Sequence, residues 1–253
     1  MANVGCQGCR DAAPFPLAFT MAFQPIIDIE AKEIWGYEAL VRGTEGQGAG
    51  TILAAVTEAN RYVFDQACRV KAVELAGAKL PVASKARLSI NFMPNAVYEP
   101  KACIRATLAA AASARFDPKR LMFEFTENER MTDVAHVANI VAEYKRMGFM
   151  TALDDFGAGY AGLGLLAKFQ TDLIKIDMEL IRGVETSAAR QAVIAGIVGI
   201  GGELGITILA EGIESEAELT TLKAAGIRLF QGYYFAKPML ETFQPMDGLL
   251  QAA

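Results

Sequence analysis

The chain has a single histidine, His136, and only four cysteines, at positions 6, 9, 68 and 103. Histidine-built zinc centres and histidine-based triads need more than one imidazole can provide. The cysteines are too few and too unevenly spaced for a disulfide framework, which points to a reduced, cytoplasmic setting. Basic excess is also missing: the formal net charge is −5, so there is no electrostatic case for binding a nucleic-acid polymer. No apolar run reaches the roughly 20 residues of a membrane span, and no basic-then-apolar leader opens the chain. The longest candidate, Ala192 to Ala210, is interrupted by Gly201-Gly202-Glu203 and reads as a buried helix followed by a strand. Neither a Walker loop nor a dinucleotide fingerprint is present.

What remains is a globular composition, 53% hydrophobic and 21% charged over 253 residues, enough for one large domain. Residues 1–18 read as an N-terminal arm and 19–253 as the domain. Cys6 and Cys9 have a C-x-x-C spacing suited to zinc or redox chemistry, but no second ligand pair accompanies them.

Eight β-branched or aromatic runs read as strands: Phe23–Ile29, Ile34–Val41, Arg87–Phe92, Leu121–Phe125, Phe149–Asp154, Leu173–Asp177, Thr207–Ala210 and Arg228–Gln231. Helical patterns lie between them, over Thr51–Ala78, Asn95–Ala114, Asp133–Met147, Ala161–Phe169, Ala188–Leu204 and Glu216–Ala225. Gly148, Gly205 and Gly226 follow helices where left-handed caps are expected. Strand–helix alternation with eight strands predicts a TIM-like (β/α)8 barrel. Only Glu30–Glu33 separates the first two strands, too little for a parallel crossover, so one strand near the N-terminus is expected to run antiparallel.

Polar residues recur near the ends of these apolar strands: Glu38, Asn91, Glu124, Asp154 with Asp155, Lys175, Glu211 and Gln231. Buried singly, each would cost several kcal/mol unless paired. Delivered together to the C-terminal rim of a barrel, they make a site. Carboxylate and amide oxygens are hard donors that suit magnesium or manganese. The number of acids is enough for two ions, the arrangement that stabilises the attacking and leaving oxygens of a phosphodiester. Lys175 among acids is expected to stay protonated and to orient an attacking water. His136 sits in a helix away from these strand ends and reads as a surface residue.

The motifs Glu38-Ala-Leu40 with Val41-Arg42, Ser89-Ile-Asn91, Glu124-Phe-Thr-Glu127, Asp154-Asp-Phe-Gly-Ala-Gly-Tyr160, Lys175-Ile-Asp177, Ala210-Glu-Gly-Ile-Glu214 and Gln231-Gly-Tyr233 run in order from about Phe19 to Met239. Together they resemble the EAL-domain phosphodiesterases, bacterial enzymes that linearise the second messenger cyclic di-GMP. The resemblance implies a metal-dependent hydrolase giving pGpG with two Mg2+ or Mn2+ ions. It places Glu38, Asn91, Glu124 and Asp154 on the first ion and Asp154, Asp155 and Glu211 on the second, bridged by Asp154. It further implies that Lys175 contacts the water, that Gln231 fixes the water and metal surroundings, and that Arg42 meets a substrate phosphate. Gln24 and Glu214 would serve guanine or active-site binding, and Glu127 would anchor the loop Phe156–Leu163. That loop would also join a homodimer. Ala158, Ala161 and Gly43 depart from commoner Thr, Ser and Trp, which bears on substrate affinity and regulation. The rival readings are a catalytically silent EAL domain acting as a nucleotide receptor or interaction module, and a hydrolase of other phosphodiesters.

Overall fold

The computed structural model describes residues 13–94, 97, 99–126, 133–158, 163–247 and 249. Cys6, Cys9, Glu127, Tyr160 and Ala161 lie outside the described residues, and so do the readings that rest on them. Within the expected arm, Phe15 packs its ring 4.6 Å from that of Phe64 and 5.8 Å from that of Phe19.

All eight expected strands form: β1 (Phe19–Asp28), β2 (Glu33–Gly43), β3 (Arg87–Phe92), β4 (Leu121–Thr126), β5 (Met150–Phe156), β6 (Leu173–Ile176), β7 (Thr207–Ala210) and β8 (Leu229–Phe230). Neighbours from β2 to β8 pair in parallel. β1 closes the barrel by pairing antiparallel with β2 on one side and β8 on the other. The structure is therefore the TIM-like barrel with one reversed strand. A short extra strand, β9 (Met239–Leu240), pairs with β1 at Ala22 and Phe23. It covers a stretch of the β1 edge that the two-residue β8 does not reach.

The helices follow the expected periodicity but break where side chains intervene. The run Thr51–Ala78 is two helices, α1 (Ala49–Leu53) and α2 (Arg61–Lys79). Between them Asn60 accepts from the Thr57 N–H at 2.8 Å and donates to the Ala55 carbonyl at 3.0 Å. Such local bonds compete with the helical ladder. In the run Asn95–Ala114, of which residues 95, 96 and 98 lie outside the described residues, the helices are α3 (Pro100–Cys103) and α4 (Arg105–Ala114); the residue before a proline is driven to extended backbone, and Glu99 adopts it. α5 (Val134–Arg146), α6 (Leu163–Leu166), α8 (Ala188–Leu204) and α9 (Glu216–Ala224) occupy expected positions. α7 (Met178–Ile181) lay unmarked in the sequence, and Asp177 caps it by accepting the Glu179 N–H at 2.7 Å. Gly148, Gly205 and Gly226 all take positive φ at the helix ends.

Two apolar clusters hold the barrel. The larger lies between the sheet and its helices, with Phe123, Tyr144 and Phe149 in mutual ring contact. The smaller fills the barrel's lower interior with Ile26, Trp35, Met122, Ala152, Leu173, Leu209 and Leu229. Each large side chain removed from water there contributes about 1.5–3 kcal/mol. This plug forms the floor of the site.

Candidate metal centre

Inward-pointing positions recur every second residue along a strand. Moving two residues from the plug toward the C-terminal rim converts Met122 to Glu124, Ala152 to Asp154, Leu173 to Lys175, Leu209 to Glu211 and Leu229 to Gln231. The same step along reversed β1 converts Ile26 to Gln24, which pairs directly opposite Glu38 of β2. β2 continues as far as Gly43, so Glu38 lies in its middle, not late in it as expected. The polar layer thus sits on an apolar floor, in a low-dielectric setting that strengthens each charge interaction.

Lys175 is the hub. Its Nζ, almost fully buried, lies 2.6 Å from Glu211 Oε1, 2.8 Å from Glu124 Oε2, 3.0 Å from Asp154 Oδ1 and 3.4 Å from Glu38 Oε2. Burial alone would drive the ammonium toward neutrality, but Asp154, Glu124, Glu211 and Glu38 hold Lys175 well above the usual lysine range. Around this hub the amides fix the carboxylates. Asn91 Nδ2 donates to Glu38 Oε1 at 2.8 Å, and Gln231 Nε2 donates to Glu38 Oε2 at 2.7 Å and to Gln24 Oε1 at 3.1 Å. Gln24 in turn donates to the Ala236 carbonyl at 3.1 Å. Ser89 Oγ donates to Glu124 Oε1.

Asp154 and Asp155 raise a geometric question, because consecutive strand residues face opposite ways. The backbone resolves it. Leu153 pairs with Ile174 and Phe156 with Ile176, so β5 carries one residue more than β6 over this stretch. At the bulge Asp155 takes φ 54°, a left-handed conformation that aspartate tolerates better than most residues. Both acids consequently line the same cleft. Asp155→Asn should keep this turn, whereas Asp155→Val should be less stable than Asp155→Asn by about 1–2 kcal/mol. Denaturant unfolding of the two variants side by side checks this, and equal stabilities would contradict a left-handed Asp155.

The carboxylates form two groups that share Asp154: Glu38, Glu124 and Asp154, and Asp154, Asp155 and Glu211, with ligand oxygens of each group within 4.8 Å of one another. Burial pushes the Glu124 carboxyl up to about 8, aided by Glu38 and Asp154 and opposed by Lys175. Burial likewise raises Glu211 well above the carboxylate range, and burial followed by the Asp154 charge raises Asp155 to about 6. Glu38 is held low despite burial, by Lys175 and by its bonds from Gln231 and Asn91. Five carboxylates against one ammonium leave a formal excess of four negative charges. Two divalent cations would cancel it, and the donors are the hard oxygens that magnesium and manganese prefer. The residues fit the ions.

A cleft of about 330 Å³ opens above this layer, lined by Glu38, Asp154, Asp155, Lys175, Glu211, Gln231, Gln24 and Glu214 among others. Asn91 and Glu124 reach the centre through their bonds to Glu38 and Lys175 without lining the cleft. Arg42 does not line it either: its Nη1 donates to the Val41 carbonyl at 2.7 Å. His136 is half-buried near the start of α5, not on the open surface as expected, with its Nε2 2.6 Å from the Val97 carbonyl and away from the centre. Gly232 lets the end of β8 approach the loop after β7, since a Cβ there would fall 2.2 Å from the Ile213 backbone. That contact seats Gln231.

Sequence reasoning gave no role to Ser89, Arg182 or Glu218. Ser89 was legible by period two, lying two residues before Asn91 on the same strand face. Arg182 and Glu218 bond across 36 positions of sequence, a juxtaposition that strand and helix patterns do not reveal.

Fold and site together define a TIM-like barrel carrying a buried lysine–carboxylate centre at its C-terminal mouth. Residues 17–238 match the family profile of the EAL domain. Among solved structures, a standalone EAL protein of Vibrio cholerae in its c-di-GMP-bound form is 52% identical, covers 90% of this chain and 95% of its own, and superposes with a TM-score of 0.86. BlrP1 of Klebsiella pneumoniae, in a manganese and cyclic di-GMP complex, is 37% identical over 92% of this chain and 59% of its own, with a TM-score of 0.83. The blue light- and temperature-regulated antirepressor BluF of Escherichia coli is 34% identical over 87% of this chain and 54% of BluF. A cyclic di-GMP phosphodiesterase of Pseudomonas aeruginosa is 29% identical over 88% of this chain and 38% of that enzyme. The chain thus spans about half or less of the curated relatives it matches here. It belongs to the EAL domain family, whose members include cyclic di-GMP phosphodiesterases. Among the described residues no helix is long and apolar enough to cross a membrane.

Proposed function

We propose that this chain hydrolyses one phosphodiester bond of cyclic di-GMP to give linear pGpG, using two magnesium or manganese ions. The observation that carries the reading is the pair of carboxylate groups sharing Asp154 around a buried Lys175. Two divalent cations, when bound, supply Lewis acidity at the phosphoryl oxygen and lower the pKa of water. Glu38, Asn91, Glu124 and Asp154 would hold one ion, and Asp154, Asp155 and Glu211 the other. Lys175 keeps the acids together and can donate a hydrogen bond to the attacking water.

Gln231 is suited to orient that water. Its amide nitrogen is committed to Glu38 and Gln24, while its buried Oε1 lacks a partner among the described residues. A buried acceptor left unsatisfied is costly, and a water proton would satisfy it. Gln24 and Glu214 flank the cleft where a guanine would enter.

The test is release of pGpG by purified protein with magnesium or manganese, measured across protein concentrations, with cyclic di-AMP and linear dinucleotides as comparison substrates. Turnover of cyclic di-GMP that is lost on chelation is the expected result. A rate per molecule that rises with concentration would support the homodimer. Tight binding without pGpG release would instead favour the receptor reading, and comparable turnover of every substrate would favour a general phosphodiesterase.

A further inference from the structure

We propose that Arg182 is a positioning residue that aims Glu214 into the cleft and so sets its selectivity for guanine; this rests on the reading of the site as one for cyclic di-GMP. Arg182 follows α7 and lines the cleft beside Glu214, Met178 and Tyr233. Its Nη1 donates to Glu218 Oε1 at 3.0 Å and Oε2 at 3.2 Å, while its Nη2 lies 2.5 Å from Glu214 Oε1. Glu218 cannot drift. It is buried, it forms a capping box with Ser215 at the start of α9, and it accepts the backbone N–H groups of Glu214 and Ser215 at 2.8 and 3.1 Å. With Nη1 shared between the two Glu218 oxygens and Nη2 on Glu214, the guanidinium is held at both of its terminal nitrogens. Rigidity therefore passes from α9 through Glu218 and Arg182 to the Glu214 side chain.

Glu214 needs such support. Its side chain is 53% exposed, and among the described residues Arg182 is its one ion-pair partner. With Oε1 engaged by Arg182, Oε2 can accept a hydrogen bond from a base. Guanine offers N1–H and an N2 amino group on its pairing edge, which match a carboxylate. Adenine presents an unprotonated N1 there, which a carboxylate repels. The half-exposed ring of Tyr233 lies on the same cleft and offers a face for the base. Arg182 thus acts through Glu214, and its loss should be felt in substrate binding more than in the chemical step.

The experiment compares Arg182→Ala, Arg182→Lys, Glu214→Ala and the double variant Arg182→Ala/Glu214→Ala, with thermal unfolding to confirm that each is folded. Arg182→Ala should raise KM for cyclic di-GMP about tenfold with kcat within about twofold, and should narrow the preference over cyclic di-AMP by a similar factor. Arg182→Lys, which keeps a cation for Glu214, should recover most of the loss. The double variant should be no worse than Glu214→Ala alone, because the two residues act as one unit. Unchanged KM and base preference in Arg182→Ala, or additive losses in the double variant, would overturn the inference while leaving hydrolysis standing. If the wild-type protein binds cyclic di-GMP without hydrolysing it, dissociation constants for the two cyclic dinucleotides replace KM, with the same outcomes expected. If it neither binds nor hydrolyses cyclic di-GMP, the functional reading falls and this inference with it.

Discussion

Asp154→Asn should lower turnover of cyclic di-GMP by at least about a thousandfold, a loss of about 4 kcal/mol of transition-state stabilisation. Asp154 is the one carboxylate common to both acidic groups, so a single substitution weakens both at once. The asparagine would keep the volume but lose the charge, and its amide NH2 cannot coordinate a cation. It would also deprive Lys175 of an anionic partner at 3.0 Å. Metal titration by calorimetry separates the causes: the substitution should weaken both binding events, whereas Glu211→Gln should weaken chiefly one. Glu38→Ala should likewise abolish turnover, since Glu38 gathers Asn91, Gln231 and Lys175 in addition to its place in one group. Wild-type rates from either Asp154→Asn or Glu38→Ala would show that the ligand assignment is wrong.

Lys175→Met should both inactivate the protein and make its stability depend on metal. The ammonium is 1% exposed and contacts four carboxylates, so an apolar replacement of similar length leaves those that are ionised, Glu38 foremost since its carboxyl is held low, buried without this counter-ion. Removing one partner of a buried ion pair costs about 3–5 kcal/mol, most of it from the partner left behind. Urea unfolding with a chelator should show that loss. Added manganese should then raise the stability of the variant more than that of the wild type, because ligand binding to the folded state stabilises by mass action. Equal stability of the two proteins in chelator would mean that the acids are not charged around Lys175. Recovery of stability by manganese without recovery of turnover would separate the lysine's structural role from its part in orienting water.

Most of the barrel was legible because its signals are local. β-branched runs, helical periodicity and the four-residue gap between the first two strands together imply eight strands with one reversed, and those strands form. Helix interiors were legible too, but two breaks were not. Asn60 ends one helix with side-chain bonds that depend on its own burial and on the turn at Ala55–Thr57. Pro100 could have been read as a boundary from the constraint a proline puts on its predecessor, and Glu99 obeys that constraint. β9 was invisible because its two residues carry no pattern; it forms where β1 leaves an unpaired edge.

The acids of the centre were likewise identifiable from their place on apolar strands, and a resemblance assigned them roles. The distances that make them a cluster were not in the strand pattern. Arg42 bonds to the neighbouring carbonyl and does not line the cleft, so the phosphate contact its motif implies is a proposal that the geometry alone does not carry. Arg182 shows the reverse, a cation without a motif role that the fold brings between Glu214 and Glu218.

By itself, then, the sequence determined the barrel class, the reversed strand and the hard-donor chemistry, because alternation, spacing and ligand type are properties of residues near one another in the chain. Only the tertiary structure decided that Asp154 and Asp155 share a cleft, because a bulge opposite β6 and a left-handed residue are needed to turn two adjacent side chains the same way. Only barrel closure decided that acids from four strands meet one lysine, since charges distant in the chain converge when the sheet curls upon itself.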